Sequence, residues 1–344
     1  GPPTQFAWAG TNAVADNTQM NEAYWQNFDR VIAYLFDKGI TAHIFCKYVR
    51  TYGANMLVSW PAKNSPQEDM YLRFLAARYQ AYSNVTWDLI KESYHEPDQV
   101  YIASRLNFLK ANDAYQRLRT LHDTDGGQSQ FAPNYYDNPA HSGTVDFYTD
   151  QEGPPSSVPA SQPNQYPFTV TSWKKRPMPY MNAECTLYQI GNDGTFAYKG
   201  NTKEDVFRAN VEVLMGGGYF AYYYSLQAWD IVRWNETPNG IAWYKNLSTF
   251  IKGTGWYKLA ADDTLIGGGA IGTHCLADPG KEYIVSNGGG GTVTLNIAGA
   301  TAPLAMAKWV DLYTGTATAL PPQANGSRAF TNPFPNPAML YLAQ

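Results

Sequence analysis

From about residue 20 to residue 252 the chain alternates stretches with helical periodicity and short apolar runs of strand character, an order that a sheet built from consecutive hairpins does not produce. Residues 21–38 place Tyr24, Trp25, Phe28, Val31, Ile32 and Leu35 at helical spacing, and Gly39 stops the run where a helix C-terminus wants a glycine. TAHIFCKYV (41–49) follows as a strand, and residues 67–82 read as the next helix. NVTWDLIKE (84–92) is a strand, 98–112 a helix, and RLRTLHDT (117–124), TVDFYTDQ (144–151) and PYMNAEC (179–185) are further strands. Helix 203–215 precedes strand YFAYYYS (219–225), and residues 238–252 close the region as a helix. Strands alternating with helices make a parallel sheet, and this many units in a row predict a (β/α)8 barrel of TIM type. The rival doubly wound sheet carries a glycine-rich phosphate loop after its first strand. Here GGGGT (288–292) lies between two strand-like runs near the C-terminus instead.

Beyond residue 255 helical periodicity vanishes. Runs such as KEYIVS, GTVTLNI, AKWVDLY and AMLYLA are separated by Gly, Asn, Asp and Pro turns, which predicts a small antiparallel β-sandwich. The expected domains are 1–254, the barrel, and 255–344, the sandwich. The short junction at 253–255 implies that the sandwich braces the barrel. Eight strands are expected, yet FAWAG (6–10) reads as the end of the second one. The first β/α unit is thus missing from this sequence. A parallel edge is costly to leave open, so either an N-terminal segment or a second chain is expected to complete the barrel, or the fold closes imperfectly.

The net charge of −4 and the lack of any basic run longer than Lys174-Lys175-Arg176 give nucleic acid and anionic membranes no purchase. No apolar stretch reaches the roughly 20 residues that span a bilayer. Aromatic residues make up 15% of the chain, 26 of them Tyr. That fits either a large core with Tyr at its edges or a surface on which sugar rings stack. Cys46, Cys185 and Cys275 form no disulfide framework and have no zinc spacing, so neither metal nor cofactor is expected. Sequons at Asn84, Asn235, Asn246 and Asn325 fit a secreted glycoprotein. Asn84 leads into an apolar strand, and no sugar is expected there.

In a barrel of this kind the chemistry gathers at the C-terminal strand ends. Two strands end in glutamate: Glu92 on the fourth, counting 41–49 as the third, and Glu184 on the seventh. A pair of carboxylates suits glycoside hydrolysis, one protonating the leaving oxygen and the other attacking the anomeric carbon or activating water. Four stretches, 21–40, 72–89, 176–189 and 204–224, resemble in order and spacing the apiosidase-like hydrolases of the large clan of retaining (β/α)8 glycoside hydrolases. The tail 281–315 resembles the small β domain, labelled collagen-binding, that follows their barrel. The resemblance implies that Glu92 is the general acid/base and Glu184 the nucleophile, without metal or cofactor. It also implies a furanoside such as apiose or arabinofuranose in a plant or microbial polysaccharide.

Lys91 departs from the pattern, since relatives carry Asn or a small residue before the acid/base. A lysine there donates a hydrogen bond too, but a cation aimed at Glu92 opposes its work as a proton donor. Adjacent strand residues face opposite ways, which would turn Lys91 aside. Asp88 shares a strand face with Glu92 at greater depth and is expected to bond within the core, while Glu96 falls on the loop. The substrate-binding candidates are Lys91, His122, Tyr148, Trp173, Tyr180, Asn182, Tyr224 and Trp229. Asp123, Asp150, Tyr188, Tyr48 and Trp60 are weaker ones. Two functions are consistent with these residues: a retaining glycosidase, in which the two carboxyls stand about 5–5.5 Å apart, and a carbohydrate-binding pseudoenzyme of the same fold, with Lys91 marking lost chemistry.

Overall fold

Helix boundaries follow local chemistry. The computed structural model describes residues 6–11, 14–47, 60–123, 134–150, 165–184, 203–221 and 240–344, with the backbone of 189–190 and 197–198. The chain forms two compact units, Gly1–Asp150 and Gln151–Gln344.

In the first unit, strands β1 (Trp8–Gly10) and β2 (Ala15–Met20) form an antiparallel hairpin. Helix α1 (Glu22–Asp37) starts at Asn21, whose side chain accepts from the Tyr24 N–H, and stops before Gly39 at φ +66°. Strand β3 (Ala42–Phe45) follows. Helix α2 (Pro66–Tyr79) is capped by Ser65 and has proline in its first turn. After strand β4 (Val85–Asp88), helix α3 (Gln99–Asn112) is capped by Asp98. Strands β5 (Arg119–Thr120), β6 (His122–Asp123) and β7 (Tyr148–Asp150) complete the unit. β3, β4 and β5 are parallel, with Phe45 opposite Asp88 and Asp88 opposite Thr120. β6 and β7 are parallel too, with His122 opposite Thr149. The outward residues Val85 and Trp87 join Leu75, Tyr79, Leu106 and Leu109 in a dense core.

Residues 6–10 do not add to the parallel strands as expected. A tight turn at Gly10, φ +85°, folds them back on β2, and a Cβ at Gly10 would lie 2.5 Å from the Val14 carbonyl. Trp8 packs on Tyr71 at 5.3 Å, and the Trp25 indole bonds the Ala7 carbonyl. Among the described residues β3 has a strand on one side only, β4.

The second unit contains helix α4 (Gln165–Lys175), strand β8 (Tyr180–Asn182), the short antiparallel pair β9 (Gln189–Ile190) and β10 (Ala197–Tyr198), helix α5 (Lys203–Met215), strand β11 (Tyr219–Phe220) and helix α6 (Ile241–Lys252). β8 and β11 are parallel. Antiparallel strands β12 (Ala260–Ala261), β13 (Ile266–Gly268), β14 (Cys275–Asp278), β15 (Glu282–Asn287), β16 (Thr292–Ile297), β17 (Met306–Asp311), β18 (Ala317–Ala319), β19 (Gly326–Thr331) and β20 (Ala338–Ala343) follow. They make one sheet in the order β12-β14-β15-β20-β17-β18 and another in the order β13-β16-β19.

One face of the larger sheet is buried against the smaller sheet and the other against the helices. Alternation along β15 sends Tyr283 and Val285 inward with Leu295 and Trp309, and Ile284 toward Phe207, Leu214, Leu247 and Phe250. Trp243 stacks on Tyr313 at 3.9 Å, Tyr166 stacks on His274 at 3.9 Å, and the Trp256 indole bonds the Leu214 carbonyl. Helices and sheet therefore share one hydrophobic core. Sequon asparagines are part of the frame as well. The Asn84 amide donates to the Ile40 carbonyl at 2.7 Å, Asn246 to those of Leu312 and Tyr313 at 3.1 Å each, and Asn325 to that of Ala300. Asn235 lies outside the described residues. Cys46 and Cys275 are free and buried.

Because the shared core uses both partners, a chain ending at residue 254 exposes the apolar face of α5 and α6. Such a chain is expected to be recovered only as aggregate or molten protein, judged by light scattering and loss of near-ultraviolet circular dichroism.

Candidate active site

β4 ends as a regular strand at Asp88, but its backbone pairing continues. The Leu89 N–H bonds the Thr120 carbonyl at 3.0 Å, the His122 N–H bonds Ile90 at 3.3 Å, and the Lys91 N–H bonds Lys47 at 2.8 Å. Glu92 then turns the chain. Its φ of 57° and ψ of 49° are left-handed, and it leads into a tight turn at Ser93–His95. For a residue with a Cβ that conformation costs about 1–2 kcal/mol. Surroundings hold it there: Glu92 is only 6% exposed, the His95 N–H bonds its carbonyl, and its own N–H donates to His122 Nδ1 at 3.4 Å.

The turn also decides the direction of Lys91. Strand alternation would have sent Lys91 and Glu92 apart. With the strand broken, Lys91 Nζ lies 3.7 Å from Glu92 Oε1 and 5.9 Å from the Phe45 ring centre. On the other side His95 Nε2 lies 4.0 Å from Glu92 Oε2.

Beneath this carboxyl is a buried polar ladder. Asp88 bonds His43 Nε2 through Oδ2 at 3.0 Å and accepts the His122 N–H on Oδ1 at 3.0 Å. Burial raises the Asp88 pKa, opposed by the bond and charge of His43. His43 Nδ1 meets Thr86 Oγ1 at 3.0 Å. Asp88 thus has the core role expected of it. His122 is fully buried, and desolvation, followed by the Lys91 and His43 charges, pushes its pKa well below 6.5. Its Nδ1 accepts the Glu92 N–H, so the ring is neutral with its proton on Nε2.

Phe45, which sequence reasoning passed over, ends β3 with 42% of its surface exposed and its ring edge-on to His122 at 5.3 Å. Its strand-end position, on the same face as Asp88, was the available signal.

In the second unit, β8 ends at the fully buried Asn182. The Asn182 carbonyl accepts the Ala221 N–H at 3.0 Å, its Nδ2 reaches Gln165 Oε1 at 3.5 Å, and its Oδ1 accepts the Glu184 N–H at 3.2 Å. Asn182 therefore shapes the turn that presents the half-buried Glu184 two residues past the strand.

Several other candidates fall away from strand C-termini. Trp173 is on α4, a helix for which no element was expected, and is half exposed. Tyr180 begins β8 rather than ending it and is buried, with Gly218 close against its ring. Tyr148 begins β7 and packs on Tyr136 at 4.5 Å. Trp60 packs on Tyr71 at 5.5 Å. Asp123 and Asp150 end β6 and β7 and are buried. Glu96 is buried on the loop and paired with Lys63. Tyr48, Cys185, Tyr188, Tyr224 and Trp229 lie outside the described residues. Among the described residues no cluster of His, Cys, Asp and Glu is arranged to hold a metal ion, and no helix is long and apolar enough to cross a membrane.

Parallel strands interleaved with helices and followed by antiparallel sheets are also the architecture of solved glycoside hydrolases. One, named only as a glycoside hydrolase, matches with a TM-score of 0.70 at 16% identity over 97% of this chain and 80% of its own. A family 5 glycoside hydrolase from Bacteroides vulgatus ATCC 8482 matches at 0.71 and 15%, over 93% of this chain and 74% of its own. A candidate glycoside hydrolase from the same organism matches at 0.68 and 17%, over 96% and 65%. No curated protein matches the sequence. The chain belongs to the apiosidase-like family, whose catalytic domain matches residues 4–259.

Two outcomes are expected. Glu92→Gly removes the left-handed strain while adding backbone entropy to the unfolded chain, so its stability to urea should stay within about 1 kcal/mol of wild type or exceed it. Loss of several kcal/mol would show that the side chain, not the backbone, holds the turn. For His122 the folded-state pKa lies below that of the unfolded chain. Stability present above pH 6.5 is therefore lost as the pH falls below 6.5 toward the folded-state value. A proton on Nδ1 would also face the Glu92 N–H donor to donor. Melting temperatures between pH 7 and 5 should fall more steeply for wild type than for His122→Asn, which keeps an acceptor and does not titrate there.

Proposed function

We propose that this protein is a secreted retaining glycoside hydrolase with a (β/α)8-type barrel, acting on sugar side chains of a plant or microbial polysaccharide, furanosides included. The observation that carries the reading is Glu92, a buried carboxyl held in a strained turn at the end of a parallel strand, in a chain of the apiosidase-like family. Functional groups are characteristically held in such sparsely populated conformations.

In this reading Glu184 attacks the anomeric carbon while Glu92 gives its proton to the departing oxygen, and the C–O bond breaks to leave a glycosyl ester on Glu184. Water then attacks the same carbon, Glu92 takes its proton, and the Glu184 carboxylate is released. Phe45 and Lys91 flank the acid and supply a ring face and a donor for sugar hydroxyls.

A second reading, a carbohydrate-binding pseudoenzyme, is favoured by one observation. The Lys91–Glu92 ion pair must open before the carboxyl can give up a proton. The two readings separate on a panel of aryl pyranosides and furanosides tested with wild type, Glu92→Ala and Glu184→Ala. The hydrolase turns over at least one substrate with retained anomeric configuration by NMR. Glu184→Ala then loses several orders of magnitude in kcat, and azide restores Glu92→Ala on an activated leaving group. Binding of sugars without turnover, with activity appearing in Lys91→Asn, decides for the pseudoenzyme.

A further inference from the structure

The turn that carries Glu92 is fastened at both ends to one polar hub. At the front, the carbonyl of Lys47 accepts the Lys91 N–H at 2.8 Å. At the back, Glu96 is buried, bonds Lys63 Nζ through Oε1, and accepts the Asp98 N–H on the same oxygen at 3.2 Å. The two fastenings meet at Tyr101 and Glu68. Lys47 Nζ reaches the Tyr101 hydroxyl at 2.7 Å and Glu68 Oε1 at 3.4 Å. Tyr101 donates its hydroxyl to Glu68 Oε1, and Lys63 Nζ lies 4.9 Å from the Tyr101 ring centre. Glu68 Oε2 accepts the Asn64 N–H at 2.7 Å and has Arg105 at 3.7 Å. Burial lowers the Lys47 pKa, and the neighbouring Glu68 charge offsets that.

We propose that Lys63, Tyr101 and Glu68 are positioning residues for Glu92: they fix the two ends of the Lys91–Glu96 turn so that its strained centre can adopt only one geometry. The role in catalysis rests on the glycosidase reading above; the tether does not. The middle of the turn is held by the His95 and Glu96 N–H bonds, by the Glu92 N–H on His122 Nδ1 and by the Ser93 hydroxyl on the His122 carbonyl at 3.2 Å, and a left-handed residue is kept from relaxing only if its ends are held as well. With both ends held, the relaxation must break the Lys91 N–H bond to the Lys47 carbonyl or uncover the buried Glu96 carboxyl from its Lys63 and Asp98 partners, which is costly for a group out of water. Displacement of a reacting group by about 1 Å costs up to roughly a hundredfold in rate.

The test uses the full chain with Lys63→Met, Tyr101→Phe and the conservative Lys63→Arg, and has two readouts. Amide hydrogen exchange at His95 and Glu96 should speed up roughly tenfold or more in Lys63→Met and Tyr101→Phe, with amides of the sandwich unchanged and Lys63→Arg close to wild type. On whichever glycoside wild type cleaves, kcat should fall between about tenfold and a hundredfold while KM stays within about twofold, and Lys63→Arg should recover it. Unchanged exchange in both variants overturns the tether. Faster exchange with kcat unchanged overturns the positioning role. If exchange rises but wild type cleaves nothing on the panel, the tether stands and the glycosidase reading falls.

Discussion

The Asp88 carboxylate is bonded through one oxygen to the His43 ring of β3 and through the other to the His122 N–H that opens β6. It lies wholly out of water. A buried carboxyl without such partners would cost several kcal/mol, so the three strands have to keep the spacing that satisfies it. Everything above Asp88 inherits that spacing. His122 is set where its Nδ1 meets the Glu92 N–H, and Phe45, opposite Asp88 in the β3–β4 register, is set against the His122 ring. The site is therefore built on the polar interior of parallel strands, and its outermost carboxyl sits where the ladder ends and the backbone is strained.

The second unit reaches a similar end by apolar means. Asn182 shapes the Glu184 turn through its side chain, and Gln165 at the start of α4 reaches its amide. α4 is in turn held through the Tyr166–His274 stack and through Glu212 of α5, which accepts the Gln165 N–H at 2.8 Å. The antiparallel sheets thus support the element that leads to Glu184, two links away.

Much of this was legible in the sequence, for physical reasons. α1 announced itself by periodicity, with Asn21 at its start, because a helix buried on one side must repeat every 3.6 residues. Strand-end carboxylates were visible since charge is rare next to apolar runs. What stayed hidden depended on contacts distant in sequence. The left-handed turn at Glu92 arises from bonds to His122 and Lys47, thirty and more residues away, and it reversed the expected direction of Lys91. α4 was missed because PPSSVPASQP just before it, and Pro167 within its first turn, carry the signature of a loop. FAWAG has a strand's composition, but only the fold-back at Gly10 reveals an antiparallel partner.

The three sequon asparagines within the described residues spend their side-chain amides on backbone carbonyls. A glycosylating secretory pathway acts on the chain while it is still extended, when those amides are free, and a glycan added there would occupy the nitrogen that the finished fold requires. The choice of production host then becomes a structural variable. A bacterial host leaves Asn84, Asn246 and Asn325 available to close their loops, whereas a eukaryotic one pits sugar transfer against folding at three separate places in the same polypeptide.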